Sequence, residues 1–172
     1  MNLVLVGYRG TGKSTVAHLL GEALGRPVVS LDEEIVRTAG CSIPELVKAR
    51  GWAHFRDLEE ELCRRWGKEE GRVLDCGGGV VECGANFESL RRNGRVFWLR
   101  ASVPTIVSRI GGDTERPSLT GTKSFTEEVE EVLARRTPLY QRLAHLAVDT
   151  DGRSVEETAA EIERDFRAAE AH

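Results

Sequence analysis

The chain has 172 residues, of which 40% are hydrophobic and 30% are charged, and its formal net charge at pH 7 is −4. This length predicts one domain with a full hydrophobic core and excludes two domains of ordinary size. The acidic balance disfavours a protein that mainly binds nucleic acid, because such proteins present basic surfaces, but it is compatible with a nucleotide-sized ligand.

The sequence has no features typical of a membrane or exported protein. It lacks an apolar run long enough to span a bilayer, and its N-terminus carries no cationic leader. The four cysteines form no C-x-x-C pair and have no histidines at zinc spacing, which predicts reduced thiols. We therefore expect a cytoplasmic protein with no membrane partner. Since no heptad repeat or long edge strand indicates an obligate oligomer, we also expect a monomer.

A short apolar strand, predicted at residues 3–6, leads directly into the glycine-rich sequence GYRGTGKST at residues 7–15. The spacing fits the P-loop pattern G-x-x-x-x-G-K-[ST], and an amphipathic helix follows, as the pattern requires. Glycines let the backbone approach phosphate oxygens, and the helix adds the positive end of its dipole. We expect Lys13 to reach the β- and γ-phosphates of a ligand and Ser14 to be a Mg²⁺ ligand. The predicted phosphate-binding residues of this loop are Gly10, Thr11, Gly12, Lys13, Ser14 and Thr15.

Acidic residues follow the second predicted strand, residues 27–31. Open α/β sheets bind ligands at the carboxyl ends of their strands, so Asp32 is a candidate site residue. The two acidic residues after it favour the start of a helix. Ser42 and Glu45 form a capping-box pattern that starts a further helix, and Gly51 is expected to break that helix.

The next helix is predicted at residues 53–66, with an apolar stripe that faces the core. Arg56 and Glu59 lie three residues apart and can pair, although a surface ion pair, which would contribute little, is the alternative. Strand three, residues 72–75, runs into three glycines at residues 77–79. Because such a run costs conformational entropy, we expect the backbone there to approach a ligand closely.

The next part of the chain predicts a helix at residues 85–92, strand four at residues 96–99 and a helix capped by Ser102. Residues 111–123 are polar, rich in glycine and threonine, and too long for an ordinary connection, which is typical of a lid. The lid contains one arginine, Arg116. The residues alone leave its role open between catalysis and an exposed loop position.

The helix after the lid carries Arg136 on its apolar face, and a cation in that position needs an anion. Thr137 and Pro138 are expected to end or kink this helix. Strand five is predicted at residues 145–149, and a last helix is capped by Ser154. Five strands that alternate with helices predict a single doubly wound α/β domain with a parallel sheet.

The sequence resembles the shikimate kinase family from the first strand to the turn after strand five. The motifs occur in the family's order, and together they are far more specific than any one of them except the P-loop. They are GYRGTGKS, Asp32, the F-R-x-x-E run that contains Arg56 and Glu59, the glycines at residues 77–79, Arg116-Pro117, and Arg136-Thr137-Pro138-Leu139-Tyr140. The resemblance implies a single-domain, three-layer P-loop fold over residues 1–172, with strand order 2-3-1-4-5, helices on both faces, a lid, and a substrate-binding segment at about residues 32–62.

The activity that the resemblance implies is transfer of the γ-phosphoryl group of ATP to the 3-hydroxyl of shikimate, on the route to chorismate and aromatic amino acids. Lys13 and Arg116 would stabilise the transferred group, and Asp32 would orient the attacking hydroxyl. Arg109 and Arg153 would border the adenine of ATP. These assignments agree with phosphoryl transfer, which needs cations around the γ-phosphate and an acceptor at the nucleophile.

The resemblance also implies a substrate carboxylate site. Arg56 and Arg136 would bind the carboxylate, and Glu59 would fix these arginines. Two guanidinium groups suit one planar carboxylate because they bind it bidentately. The predicted substrate-binding residues are Asp32, Arg56, Gly77, Gly78, Gly79 and Arg136.

One position departs from the family, which usually has Asp-x-Asp after strand two, with the first carboxylate at the water shell of Mg²⁺. This chain has Ser30-Leu31-Asp32, while strand three ends in Asp75, where the family often has a small or neutral residue. Adjacent strands are about 4.8 Å apart, so the two strand ends should be close. We hypothesise that Asp75 orders the Mg²⁺ shell and that Ser30 hydrogen-bonds nearby. Alternatively, Ser30 weakens metal binding and Asp75 merely caps its strand.

Two other functions fit parts of the pattern. A gluconate or nucleoside monophosphate kinase would share the P-loop, but the two arginines and the glycine run describe a site for a small hydroxylated carboxylate. A nucleotide-binding relative without turnover would fit the serine after strand two. No N-K-x-D guanine signature is present, which disfavours a GTPase. We therefore expect shikimate and ATP as substrates, Mg²⁺ as cofactor and no nucleic acid partner.

Overall fold

The computed structural model describes residues 1–111 and 124–172. Within these residues, five parallel strands form one sheet in the order β2-β3-β1-β4-β5, as predicted. The lid predicted at residues 111–123 lies outside the described residues apart from Gly111, and Arg116 lies outside them too. The strands are β1 (Asn2–Val6), β2 (Val28–Ser30), β3 (Val73–Asp75), β4 (Gly94–Arg100) and β5 (Leu146–Asp149).

Helices cover both faces of the sheet. Serine side chains cap many of them by accepting a backbone N–H bond three residues on, which satisfies a donor that the helix itself leaves open. No helix in the described ranges is long and apolar enough to cross a membrane. The helices are α1 (Lys13–Leu24), α2 (Leu31–Ala39), α3 (Ile43–Trp66), α4 (Ala85–Arg92), α5 (Val103–Ile110), α6 (Phe125–Leu143) and α7 (Val155–Glu170), with a 3-10 turn at Gly78–Glu82.

The core has two main parts because successive side chains of a strand point to opposite faces of the sheet. Leu3 and Leu5 of β1 pack with α1 and α7, whereas Val4 and Val6 pack with α2, α3, α4 and α6. All four side chains are fully buried. The strand that carries the P-loop is therefore fixed on both faces, which gives the loop a rigid support.

Two predicted helix breaks have different outcomes. Gly51 has φ 83° and ψ 168° and interrupts α3, as expected for a glycine in the left-handed region. Of the two outcomes predicted at Thr137 and Pro138, an end or a kink, the end is wrong, because α6 continues through Pro138 to Leu143. Tyr140 and Leu143 follow the proline and are fully buried. Their burial outweighs the lost N–H bond and keeps the chain helical.

Candidate active site

The P-loop has the backbone geometry that its glycines predict. Gly7, Gly10 and Gly12 have positive φ values of 146°, 80° and 88°. A Cβ at Gly10 would lie 2.6 Å from the Ile110 side chain, so this position also needs glycine for steric reasons. The Lys13 ammonium donates to the carbonyls of Gly7 at 2.6 Å and Tyr8 at 3.0 Å. Lys13 is thus held across the loop at the start of α1.

Most of the predicted catalytic and metal-binding residues line one cavity of about 420 Å³. The cavity lies at the carboxyl ends of the central strands, where open α/β sheets bind ligands. It joins the P-loop to the ends of β2 and β3. The predicted site residues on its walls are Gly10, Gly12, Lys13, Ser14, Thr15, Ser30, Asp32, Asp75, Gly77 and Gly78.

Ser14, Ser30 and Asp75 meet where the P-loop helix faces the ends of β2 and β3. Ser30 and Asp75 are direct partners in the parallel register of these strands, as their positions predict. The Ser14 hydroxyl donates to Oδ2 of Asp75 at 2.7 Å, and Asp75 is only 7% exposed. The Ser30 hydroxyl accepts from the backbone N–H of Glu33 and caps α2. Aspartate and serine are both good N-cap residues, so either residue at position 30 can cap α2.

The ion pair between Arg56 and Glu59 is not a surface pair. Nη1 of Arg56 donates to Oε1 of Glu59 at 2.8 Å, and the Glu59 side chain is only 1% exposed. Burial raises the pKa of Glu59, while the charges of Arg56 and Arg136 oppose this shift. The alternative of an exposed pair is therefore wrong. Glu59 instead lies beneath Arg56 and holds its guanidinium in place.

The three consecutive glycines let charged side chains pack directly against the backbone. A Cβ at Gly77 would meet the carboxylates of Asp32 at 3.1 Å and Glu59 at 3.0 Å. A Cβ at Gly78 would lie 3.3 Å from Nη1 of Arg136. At Gly79 a Cβ would overlap the guanidinium of Arg56. The close approach seen in the described chain is therefore to the candidate site side chains, and the approach to a ligand stays a prediction.

Arg136 is a buried cation, only 4% exposed. Its guanidinium lies 5.8 Å from the centre of the Tyr8 ring. The Tyr140 hydroxyl donates to the carbonyl of Gly78, which ties α6 to the glycine turn. The predicted inward face of α6 is confirmed, and it brings Arg136 to the same turn that Arg56 contacts.

Glu82 also contacts this cluster, although no motif in the sequence marks it as a site residue. Glu82 ends the 3-10 turn and pairs with Arg135 at 2.8 Å, and it approaches Nε of Arg136 at 3.6 Å. An available signal was its position, since it is the first acidic residue after the glycine run. That signal is weak without the fold, because Glu82 and Arg136 are far apart in sequence.

The predicted adenine-side arginines border a second cavity of about 310 Å³ next to the P-loop. Arg109 donates to the carbonyl of Gly10 at 3.1 Å and to the Thr150 hydroxyl at 3.2 Å. Arg153 donates to the carbonyl of Asp149 at 3.3 Å. The Thr11 hydroxyl donates to the carbonyl of Tyr8. Gly10 and Gly12 line both cavities, so both cavities lie against the P-loop.

The comparisons with known proteins agree with this geometry. The family model described as shikimate kinase matches residues 9–167. A shikimate kinase of Thermodesulfovibrio yellowstonii is 37% identical over 96% of this chain and 94% of its own length. One from Geobacter sulfurreducens is 43% identical over 94% of this chain and 88% of its own length.

Solved structures show the same relationship. The shikimate kinase of Acinetobacter baumannii in complex with shikimate has a TM-score of 0.92 and 31% identity, covering 98% of this chain and 93% of that one. A gluconokinase from Sinorhizobium meliloti, at 19% identity and a TM-score of 0.63, shares the fold alone. The chain therefore belongs to the shikimate kinase family.

Proposed function

We propose that the chain transfers the γ-phosphoryl group of ATP to the 3-hydroxyl of shikimate. The observation that carries this proposal is the packing of Arg56 and Arg136 on one glycine turn beside the P-loop cavity. Two guanidinium groups bind a planar carboxylate bidentately. A small hydroxylated acid held in this way has its hydroxyls directed toward the P-loop, which supplies the positioning that phosphoryl transfer needs.

The ATP phosphates bind to the P-loop in this proposal. Lys13 stabilises the negative charge of the transferred group, and Gly10, Thr11, Gly12, Ser14 and Thr15 surround the phosphates. The cavity beside the P-loop supports this orientation because Arg109 and Arg153 border it and can flank a base. Arg116, outside the described residues, is proposed to add a cation when the lid closes over the substrates and excludes water.

Asp32 is proposed to orient the attacking hydroxyl and to accept its proton. Its carboxylate is in the P-loop cavity and within 3.1 Å of the position that a Cβ on Gly77 would occupy. An acceptor between the P-loop and the glycine turn can bind a substrate hydroxyl while the two arginines at the turn bind the substrate carboxylate. A positioned acid–base group of this kind contributes about 10²- to 10⁴-fold to rate.

Mg²⁺ is proposed to bind between Ser14 and Asp75. The donor set fits, because Mg²⁺ prefers oxygen ligands and commonly uses one or two protein groups together with substrate phosphates and water. The Ser14 hydroxyl and the Asp75 carboxylate already lie 2.7 Å apart in the cavity, with Ser30 as the neighbouring strand partner of Asp75. When bound, the ion would neutralise charge on the β- and γ-phosphates. Asp75 thus takes the place of the carboxylate that the family usually carries at position 30.

A coupled ADP-release assay with Mg²⁺-ATP tests the proposed function. We expect turnover with shikimate and none with gluconate, quinate or AMP. Asp32→Asn should lower kcat by about 10²-fold or more, because it removes the acceptor without changing the shape of the side chain. Turnover with another acid, or ATP binding without turnover on shikimate, would contradict the proposal. We further propose a cytoplasmic monomer, which light scattering of the purified protein would test for oligomeric state.

A further inference from the structure

The Glu82 carboxylate lies beside two consecutive arginines, Arg135 and Arg136. Its carboxylate accepts two hydrogen bonds from Arg135, from Nε at 2.8 Å and from Nη2 at 3.0 Å. The same Oε1 atom lies 3.6 Å from Nε of Arg136. Arg135 thus fixes the position of Glu82 by a two-point contact, and Glu82 in turn places a negative charge beside Arg136.

The two ends of the Arg136 guanidinium have different surroundings. Nε is buried and has no hydrogen-bond partner in the described part of the chain, and its distance to Glu82 is that of an ion pair rather than a hydrogen bond. Nη1 lies against Gly78, where a Cβ would come within 3.3 Å of it. Glu82 therefore lies beside the Nε end of the Arg136 guanidinium, while the Nη1 end lies at the glycine turn.

Glu82 keeps its charge near neutral pH. Burial opposes ionisation, but the hydrogen bond from Arg135 and the charges of Arg136, Arg135 and Arg56 hold the pKa of Glu82 below its ordinary value. A buried guanidinium that faces a fixed carboxylate loses rotational freedom before the substrate arrives. Pre-ordering of this kind improves affinity because less side-chain entropy is lost on binding.

We propose that Glu82, fixed by Arg135, is a positioning residue that orients Arg136 for the substrate carboxylate. The inference rests on the proposed function, in which Arg136 binds the carboxylate of shikimate. It adds a second carboxylate support to the site: Glu59 holds Arg56, and Glu82 holds Arg136. The competing interpretation is an ordinary surface ion pair between Glu82 and Arg135, whose side chains are 25% and 48% exposed.

The test is Glu82→Gln, which keeps the shape of the side chain and removes its charge. We expect the Kd of shikimate, measured by calorimetry, and its KM to rise about fivefold, as for one partly exposed ion pair. The kcat and the KM of ATP should stay within about twofold, because Glu82 acts through a group that binds the acid. A merely structural role would lower thermal stability without this selective change in shikimate binding.

Glu170→Gln is the matched control. Glu170 accepts a similar two-point contact from Arg26, at 2.7 Å and 2.8 Å, and is similarly exposed at 30%, but it does not line the described cavities. This variant should bind shikimate like the wild type. Arg135→Gln removes the two hydrogen bonds that fix Glu82 and leaves Glu82 itself unchanged, so it should also raise the Kd of shikimate. It provides a second test if Glu82→Gln fails to fold.

A double substitution separates action through Arg136 from a general effect. Because Glu82 orients the guanidinium, Glu82→Gln should add no further loss to Arg136→Lys. An unchanged Kd in Glu82→Gln and in Arg135→Gln, or full additivity with Arg136→Lys, would overturn the inference. Failure of the wild type to bind shikimate would instead overturn the proposed function, so the two failures are distinguishable.

Discussion

Asp75 accepts the hydrogen bond of the Ser14 hydroxyl at the position where a P-loop enzyme needs a carboxylate. Ser30, its partner on β2, caps α2, and we propose that Asp75 supplies this carboxylate. The two strand ends are interchangeable in this respect because parallel neighbours bring their carboxyl ends to the same edge. A carboxylate can therefore move from one strand to the next and still face the same hydroxyl.

The proposed metal role of Asp75 leads to a prediction at the residue scale. Asp75→Ser should raise the Mg²⁺ concentration needed both for activity and for tight ADP binding, since a hydroxyl replaces a charged oxygen ligand. The double variant Ser30→Asp with Asp75→Ser should restore the Mg²⁺ dependence, because aspartate also caps a helix. Calorimetry of ADP binding over a Mg²⁺ series measures both effects.

Asp57→Ser is the control for this series, since Asp57 is exposed on α3 and does not line the described P-loop cavity. It removes the same charge and should leave the Mg²⁺ dependence unchanged. If Asp75→Ser also titrates like the wild type, Asp75 only caps its strand and the proposed relocation is wrong.

The element that organises the proposed substrate side of the site is the glycine run together with the 3-10 turn Gly78–Glu82. Its backbone passes so close to Arg56 and Arg136 that side chains on the turn would displace the guanidinium groups. The Tyr140 hydroxyl fixes the turn to α6, and Glu82 fixes it to Arg135. The turn therefore packs against both arginines.

At the element scale, Gly79→Ala should weaken shikimate binding and also lower the melting temperature. The new methyl group would overlap the Arg56 guanidinium, which must then move away from the buried Glu59 carboxylate. Since a charged hydrogen bond contributes about 1.5–3 kcal/mol, the KM of shikimate should rise about tenfold or more. Steady-state kinetics and a thermal melt give the two readouts.

Gly84→Ala provides the comparison, because a Cβ at Gly84 would meet nothing within 4 Å and its φ is −61°. It should change neither the KM nor the melting temperature. A Gly79→Ala enzyme with the KM of the wild type would mean that Arg56 does not bind the substrate.

The sequence predicted elements well and three-dimensional contacts less well. Strands, capping serines and the P-loop follow from local patterns, and each is present where the pattern predicts it. A helix end at Pro138 is wrong because local propensity cannot account for the burial of Tyr140 and Leu143. The burial of Glu59 and the position of Glu82 depend on packing between distant segments, which no local pattern contains.

At the scale of the whole molecule, the order of the strands brings the candidate site residues to one edge of the sheet. The central strand β1 ends in the P-loop, β3 ends in Asp75 and the glycine run, and β2 ends just before Asp32. On the other side, β4 and β5 lead to the cavity that Arg109 and Arg153 border. Parallel strands place all of these ends at one edge, so sequence-distant residues converge without a long loop in the described chain.

The outer part of the sheet contains a group that should make stability depend on pH. The backbone N–H of Val96 donates to Nδ1 of His145 at 2.9 Å, which joins the start of β5 to β4 and requires an unprotonated nitrogen. Partial burial, followed by the charges of Arg91 and Arg95, lowers the pKa of His145 below its usual 6.5, while Asp165 opposes the shift. The unfolded chain therefore binds a proton more tightly than the folded chain does.

It follows that the contribution of His145 to stability is fully present above pH 6.5 and is lost as the pH falls toward the lower pKa of the folded state. His145→Asn keeps an acceptor near the position of Nδ1 but does not titrate. Its free energy of unfolding should therefore fall less than that of the wild type between about pH 7.5 and about pH 5.5. His18→Asn, exposed on α1, should behave like the wild type. Equal pH dependence in the wild type and His145→Asn, measured by urea denaturation, would show that acid weakens the fold through other groups.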